Sequence, residues 1–351
     1  MLRNHLSAIF FGGIVLIFLQ GIFFPANCIA QSDSSSISQS SYIANLRDPR
    51  FNTVVEDLTS PTLEKTHLIP AQPLIGFVSD TSGYSYSLIR LQWRQNDPID
   101  LWLVKPLNVK KPPVILHIYG YPSDSDRFMK PEWQEFVTRG GFAAAGFVTA
   151  LTGQRYHDIP MKNWFLSELQ LCLSESSHDV QMVLNYLASR GDLDMDRVGI
   201  FGQFSGATVG ILASAADPRI KVLDALDPWG DWPTWMEKSE FVPKDERANY
   251  VKPEFLAKVA TLETLDWMPK VQAKKFRLQQ RITDHQTPWP SKEKLKTAIP
   301  AGGTYTFYKT AGEFEQAVGK DGSESLDWIK AQLQSLQPAA TESAVAEKKS
   351  N

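Results

Sequence analysis

Residues 196–207 read DRVGIFGQFSGA and are the strongest indicator of the fold class. Residues 198–201 form a short apolar run with the length of a buried strand. Gly202 follows the run directly, and from Gly206 the chain continues into an Ala-rich segment, which predicts a tight turn and then a helix. The sequence therefore predicts a strand that turns sharply into a helix.

Short β-rich runs lie on both sides of this unit. The early runs follow one another closely, whereas the later ones alternate with helical patterns at residues 177–190 and 326–336. The runs are residues 74–78, 84–93, 99–104, 114–118, 142–148, 198–201, 222–226, 276–282 and 305–308. This order predicts an α/β fold, a mostly parallel sheet with antiparallel N-terminal strands and helices on both faces.

Four segments carry a family resemblance. They are residues 114–121 (VILHIYGY), 196–207, 281–288 (RITDHQTP) and 308–314 (YKTAGEF). In this order they resemble the landmarks of the α/β-hydrolase superfamily, and the dienelactone hydrolases and prolyl-oligopeptidase-like esterases and peptidases are the most similar members. The resemblance spans about residues 70–335 and implies the α/β-hydrolase fold with a helical cap insertion.

In that superfamily the strand-to-helix turn carries the nucleophile. The turn is so tight that the residues two positions before and after the nucleophile must be small. Here Gly202 and Gly206 bracket Phe204, whereas placing Ser205 at the apex would put the bulky Gln203 at a constrained position. The resemblance therefore implies that Phe204 occupies the usual nucleophile position.

A bulky side chain at a strained apex costs about 1–3 kcal/mol. We therefore expect the turn to have relaxed, with Ser205 starting the helix and capping its free amides. The alternative is that Ser205 has moved into a position from which it acts as a nucleophile.

The loop that normally ends in the catalytic histidine reads Gly312-Glu313. A serine nucleophile needs an adjacent base, and a carboxylate with a pKa near 4 is a poor one. Glu313 could serve only if burial raised its pKa. Asp284 fits the position of the triad acid, and His285 beside it is the nearest substitute base. The candidate catalytic residues are therefore Ser205, Asp284, Glu313 and His285.

The segment that supplies the oxyanion hole keeps its pattern. Tyr119-Gly120-Tyr121 stands where the family has His-Gly-X, so the resemblance implies an oxyanion hole made by the backbone amides of Tyr121 and Ser205. A binding pocket can persist after loss of the chemistry. The sequence holds no metal-ligand spacing and no Gly-rich phosphate loop, so we expect no cofactor and no metal.

A Trp-rich segment at about residues 229–275 interrupts the strand-helix alternation. One interpretation is a helical excursion that packs on the sheet. The other, which we favour from the sequence, is a lid over a pocket at the carboxyl ends of the strands.

The first 30 residues predict a signal peptide cleaved after Ala30, with an uncleaved membrane anchor as the alternative. Residues 31–66 follow as a polar spacer and N-terminal arm, then residues 67–336 as the hydrolase-like domain and residues 337–351 as a disordered tail. We therefore expect an exported protein, periplasmic or secreted, that contacts a membrane only if the leader remains.

Composition narrows the function classes. The net charge is −3 and no cluster of Lys and Arg is interleaved with aromatic residues, so the sequence gives no electrostatic footprint for nucleic acid.

Three hypotheses remain. The first is a pseudoenzyme with a degenerate triad that binds a small acyl, glycan or peptide ligand. The second is an active ester or peptide hydrolase with a rearranged site, in which Ser205 is the nucleophile, Glu313 or His285 the base and Asp284 the orienting acid. The third is an envelope protein that contacts partners through its Trp-rich cap.

Overall fold

A computed structural model describes residues 49–120, 126–151, 166–319 and 326–336, all within the compact unit Ser38–Asn351. In these ranges one nine-stranded sheet runs through the molecule in the order β1-β2-β3-β5-β4-β6-β7-β8-β9. The strands are β1 (Leu74–Asp80), β2 (Tyr84–Gln92), β3 (Pro98–Pro106), β4 (Pro113–Ile118), β5 (Ala143–Gly146), β6 (Asp194–Gln203), β7 (Ile220–Leu226), β8 (Lys275–Arg281) and β9 (Thr304–Tyr308).

The sheet confirms the predicted fold class. β1, β2, β3 and β5 pair antiparallel to one another in that order, and β5, β4, β6, β7, β8 and β9 pair parallel. Because the carboxyl ends of parallel strands meet at one edge of a sheet, the loops after β6, β7, β8 and β9 lie together there. Each predicted strand run overlaps one observed strand.

The helices are α1 (Pro131–Thr138), α2 (Leu169–Arg190), α3 (Ser205–Ala216), α4 (Trp232–Lys238), α5 (Arg247–Tyr250), α6 (Pro253–Val259), α7 (Thr264–Trp267), α8 (Trp289–Thr297), α9 (Ala311–Val318) and α10 (Asp327–Ser335). α2 starts at Leu169 rather than near residue 177. Its early part buries polar side chains such as Ser174 and Ser176, which breaks the apolar period that sequence analysis relies on.

Helices cover both faces of the sheet. Successive side chains of a strand point to opposite faces, and Leu116 of β4 packs in the core shared with α2 and α3, whereas its neighbour Ile115 packs in the core shared with α1 and α10. Every residue of β4 is buried. The carboxyl end of this central strand is therefore buried and paired with β6.

Residues 49–71 form an N-terminal arm that is held by buried charges. The guanidinium of Arg94 donates to both carboxylate oxygens of Glu56 (2.5 and 2.6 Å) and to Asp179 (2.6 Å) of α2. His178 lies inside α2 rather than at its start, with Nδ1 2.6 Å from Glu56 Oε1. Burial raises the pKa of Glu56, but the hydrogen bonds with Arg94 and His178 outweigh it and hold that pKa below its usual value. The arm is therefore part of the folded domain.

The Trp-rich segment between β7 and β8 packs into the core. The rings of Trp229, Trp232 and Trp235 are buried in the same core as α2 and α3. The segment contacts α2, α3 and α8. These three rings are core side chains, and burying them gives so long a connection its own packed side. Lys238 and Glu240 of the same segment line a cavity, and the lid and partner-surface interpretations stay predictions.

No helix in the described ranges is long and apolar enough to cross a membrane. The predicted leader (residues 1–30), most of the spacer and the predicted tail (residues 337–351) lie outside those ranges.

Candidate functional site

The strand-to-helix turn lies between the last residue of β6, Gln203, and the first of α3, Ser205. Phe204 stands at its apex with φ 54° and ψ −121°, a backbone conformation that L-residues rarely adopt. Its N–H still donates to the carbonyl of Leu226 on β7 (2.9 Å). The expectation of a relaxed turn is therefore wrong, because the strained turn is kept with a phenylalanine at its apex.

The neighbouring backbone explains why the turn has not relaxed. A Cβ added to Gly206 would overlap the carbonyl oxygen of Ile118 at the end of β4, and one added to Gly202 would lie 2.6 Å from Ala207 Cα. Gly120 packs equally closely on the turn, at Gln203. These contacts leave the chain one path from β6 into α3, so the conformation is imposed on Phe204 by its surroundings.

An arginine lies over the Phe204 ring. The Arg281 guanidinium at the end of β8 is 5.1 Å from the ring centroid of Phe204 and 4.7 Å from that of Phe314, which is a cation–π arrangement on both sides. Nε of Arg281 donates to Asp227 Oδ2, and its backbone N–H donates to Asp227 Oδ1 (2.8 Å). The Phe204 ring is therefore covered by the Arg281 cation, which Asp227 holds in place.

Asp227 follows β7 and is buried at this edge with φ 49°. Burial and the negative charge of Asp284 raise its pKa to about 6, against the opposing effect of Arg281. The site therefore contains a buried carboxylate that takes up a proton more readily than an exposed one.

Ser205 is the first residue inside α3, and its side chain is fully buried. The capping position belongs to Phe204, which has no side-chain acceptor. The prediction that Ser205 caps the helix is therefore wrong, because the strained turn places Phe204 one residue ahead of it. As a nucleophile Ser205 stays a prediction, and its hydroxyl has no solvent-exposed surface in this structure.

Asp284 is buried in the loop after β8. Its carboxylate accepts hydrogen bonds from the backbone of Gln286 (3.0 Å) and Thr287 (3.2 Å) and pairs with Lys292 Nζ (3.0 Å). Lys292 also donates to the carbonyl oxygens of Arg281 (2.6 Å) and Asp284 (2.7 Å). The carboxylate thus has the partners that a buried charge needs without a histidine. Nothing in the sequence distinguished Lys292 from the other lysines of α8.

Glu313 is exposed in the first turn of α9. Its Oε2 accepts from the N–H of Lys309 (2.6 Å), and its own N–H donates to Thr310 Oγ1 (3.0 Å). This is a variant of the capping box in which the carboxylate binds the N–H of the residue before the N-cap Thr310. It explains why the loop after β9 turns directly into a helix. The Thr-x-x-Glu signal for this cap is present in the sequence at residues 310–313. Burial, the condition on which a role as base depended, is absent at Glu313.

His285 is exposed on the rim of a cavity, with Nδ1 3.9 Å from Glu240 Oε1. The cavity has a volume of about 420 Å³. Its lining residues are Lys238, Glu240, Ile282, Asp284, His285, Thr287, Pro288, Trp289 and Lys292. The structure thus brings His285 and Asp284 to one cavity, to which neither Ser205 nor Glu313 contributes.

The described residues include Gly120 and Ser205 of the predicted oxyanion hole. Gly120 lies against the turn, where a Cβ would be 2.7 Å from Phe204 Cβ and 3.1 Å from Ser205 N. Tyr121 lies outside the described residues. The two segments meet as the resemblance implied, and the oxyanion hole of Tyr121 and Ser205 stays a prediction.

A second cavity of about 700 Å³ lies apart from this edge, between the N-terminal arm, the end of β2 and α2. In the described parts of the chain, no three His, Cys, Asp or Glu side chains are grouped so that they could hold a metal ion.

Neither a protein-family model nor a curated protein matches the sequence. Solved structures do match. The acetyl xylan esterase from Paenibacillus sp. R4 is 17% identical with a TM-score of 0.59, covering 78% of this chain and 90% of the esterase. Acetyl xylan esterase 1 from Thermoanaerobacterium sp. JW/SL YS485 is 15% identical with a TM-score of 0.55, covering 73% and 89%.

The acylaminoacyl peptidase of Pyrococcus horikoshii is 14% identical with a TM-score of 0.53, covering 78% of this chain and 52% of the peptidase. Identities this low relate the folds alone. With the sheet order and the strained turn after β6, they show that this chain has the α/β-hydrolase fold.

Proposed function

We propose that this chain is a ligand-binding protein with the α/β-hydrolase fold and a degenerate triad, which binds a small acyl, glycan or peptide ligand with weak or no hydrolysis. The observation that carries the proposal is Phe204 at the apex of a strained turn. A phenyl ring has no group that can attack a carbonyl carbon, and the turn presents this ring where the fold presents its nucleophile.

The remaining candidate residues support the same conclusion. Serine hydrolysis needs a nucleophile and a base within hydrogen-bonding reach of each other. Ser205 is fully buried, Glu313 closes a helix cap, and Asp284 is paired with Lys292. Among the described residues, Glu313 and Asp284 are therefore taken up by a helix cap and a lysine, and neither is arranged as a base for a serine.

Export is a second part of the proposal. The short basic start, the apolar run and the small residue Ala30 favour a cleaved leader, so we propose that the mature chain begins near Gln31 and is periplasmic or secreted. N-terminal sequencing of the protein from the producing cell tests this, and a full-length species retained in the membrane would contradict it.

The test of the degenerate triad is labelling with a fluorophosphonate, which modifies activated serine hydroxyls. We expect no stoichiometric labelling of the purified mature protein, and no labelled peptide that contains Ser205. Stoichiometric labelling at Ser205 that competes with substrate esters would establish the rearranged hydrolase instead.

A further inference from the structure

We propose that the cavity beside Trp289 is a carbohydrate-binding site. The inference rests on the proposed function, because it names the class of ligand that the protein holds without hydrolysing it. The site is the 420 Å³ cavity whose rim carries Lys238, Glu240, His285 and Trp289. That volume lies in the range of about 300–1,000 Å³ typical of small-molecule sites.

The first observation is an exposed indole. Trp289 is 50% exposed, and Ile282, which lines the same cavity, is 49% exposed. By contrast, Trp229, Trp232 and Trp235 are fully buried. Large apolar side chains exposed together in a concave site mark a contact surface.

The second observation is a contact that restricts the indole before a ligand arrives. Trp289 is the first residue of α8 and is followed by Pro290, which suits the start of a helix. Its ring packs edge-on against Phe307 of β9, with centroids 5.5 Å apart. A ring held this way loses little freedom on binding, so contact with it adds directly to affinity.

The third observation is the charge of the lining. Lys238 and Glu240 carry opposite charges, and in the buried part of the cavity Lys292 is paired with Asp284. These charges cancel, so the cavity favours neither a strongly anionic nor a strongly cationic ligand. At the rim, Lys238 offers hydrogen-bond donors and Glu240 offers acceptors.

A sugar ring matches this combination. One face of a pyranose carries C–H groups that pack on the negative face of an indole, while its hydroxyl groups both donate and accept hydrogen bonds around the rim. A purely apolar ligand would form no hydrogen bonds with Lys238 and Glu240. A charged ligand would be repelled by whichever of these two side chains carries the same charge.

The test is isothermal titration of the mature protein with xylohexaose and with cellohexaose, whose linear β-linked chains present flat sugar faces. We expect saturable binding of at least one of them. Trp289→Ala should weaken binding by about tenfold or more, whereas Trp289→Phe keeps a ring and should stay within about threefold. Circular dichroism and thermal unfolding verify that each variant is folded.

The matched control is Phe77→Ala. Phe77 is an exposed aromatic residue, 38% accessible, on β1 at the opposite edge of the sheet. Its loss should leave the dissociation constant unchanged. Absence of saturable binding to both oligosaccharides overturns the proposal, and so does binding that Trp289→Ala leaves intact or that Phe77→Ala weakens as much.

The same preparations separate this proposal from the proposed function. Each is also treated with the fluorophosphonate. An unlabelled protein that binds no oligosaccharide leaves the degenerate triad standing and removes the carbohydrate site. A protein that is labelled at Ser205 and also loses oligosaccharide binding with Trp289→Ala removes the non-hydrolytic function and keeps the site.

Discussion

The turn at Phe204 follows β6, and the loop before Glu313 follows β9. The two differ in how much of the expected site geometry they retain. The turn keeps its strained backbone, with φ 54° at a phenylalanine, although the side chain cannot act as a nucleophile. The loop keeps neither the expected side chain nor an open end, because Thr310 and Glu313 close it into the cap of α9.

Packing explains the difference. Backbone packs closely against the glycines of the turn, and Gly206 has no room for a Cβ beside Ile118. The loop lies at the surface, where a Cβ on Gly312 would meet only Thr310 Oγ1 at 3.9 Å. A tightly packed turn therefore holds its backbone conformation whichever side chain stands at its apex, whereas an exposed loop tolerates change.

The largest expected effect is the difference in the free energy of unfolding between alanine substitutions at Gly206 and Gly312. Gly206→Ala should lower the free energy of unfolding by about 3 kcal/mol, because the new methyl group overlaps backbone that cannot move. Gly312→Ala is the matched change in the exposed loop, and it should be neutral or stabilising by about 0.5 kcal/mol, since Ala is the better helix former. Urea unfolding of both variants measures the two free energies. Equal effects would show that the turn is no more tightly packed than the loop.

A pH experiment tests the charges beside the turn. Burial and the charge of Asp284 raise the pKa of Asp227 to about 6, above the ordinary aspartate value of 3.8. The folded protein then binds the proton more tightly than the unfolded chain, so this contribution to stability is complete below about pH 4 and is lost as the pH rises through about 6.

The measurement is the free energy of unfolding of wild type and Asp227→Asn at pH 4 and pH 7. Relative to the variant, wild type should lose about 2 kcal/mol over this interval, from roughly 1.4 kcal/mol per unit of pKa difference. If wild type instead gains stability relative to the variant, the ion pair with Arg281 outweighs burial and the description of Asp227 is wrong.

The exposed loop gives a smaller effect. Thr310→Ala removes the side-chain acceptor for the Glu313 N–H and should cost about 1 kcal/mol of unfolding free energy. Glu313→Gln keeps an acceptor for the Lys309 N–H and should stay within about 0.5 kcal/mol of wild type. A large loss with Glu313→Gln would show that the carboxylate has a role beyond capping.

The parts of the fold that depend on local patterns could be predicted from the sequence. The nine strands follow short apolar runs, and the position of Phe204 follows from the spacing of Gly202 and Gly206. The strain at Phe204 could not be predicted, because it is imposed by Ile118 and Gly120, which are distant in the chain.

The pairing of the buried charges could not be predicted from the sequence either. Arg281 lies on Phe204 and pairs with Asp227, and Lys292 pairs with Asp284, but no local pattern indicates which charges meet. The same holds for the pairing of Glu56 with Arg94 in the arm. Only the capping box at Thr310 and Glu313 had a local signal that could have been read.

Turnover of p-nitrophenyl acetate and butyrate by wild type and Ser205→Ala measures whether Ser205 acts as a nucleophile. A fold without nucleophile and base retains only what its remaining oxyanion hole and binding supply. We predict turnover that is weak or absent and identical in the two proteins. A wild-type kcat above roughly 1 s⁻¹, the low end for ordinary enzymes, that Ser205→Ala abolishes would show that the protein is an active serine hydrolase.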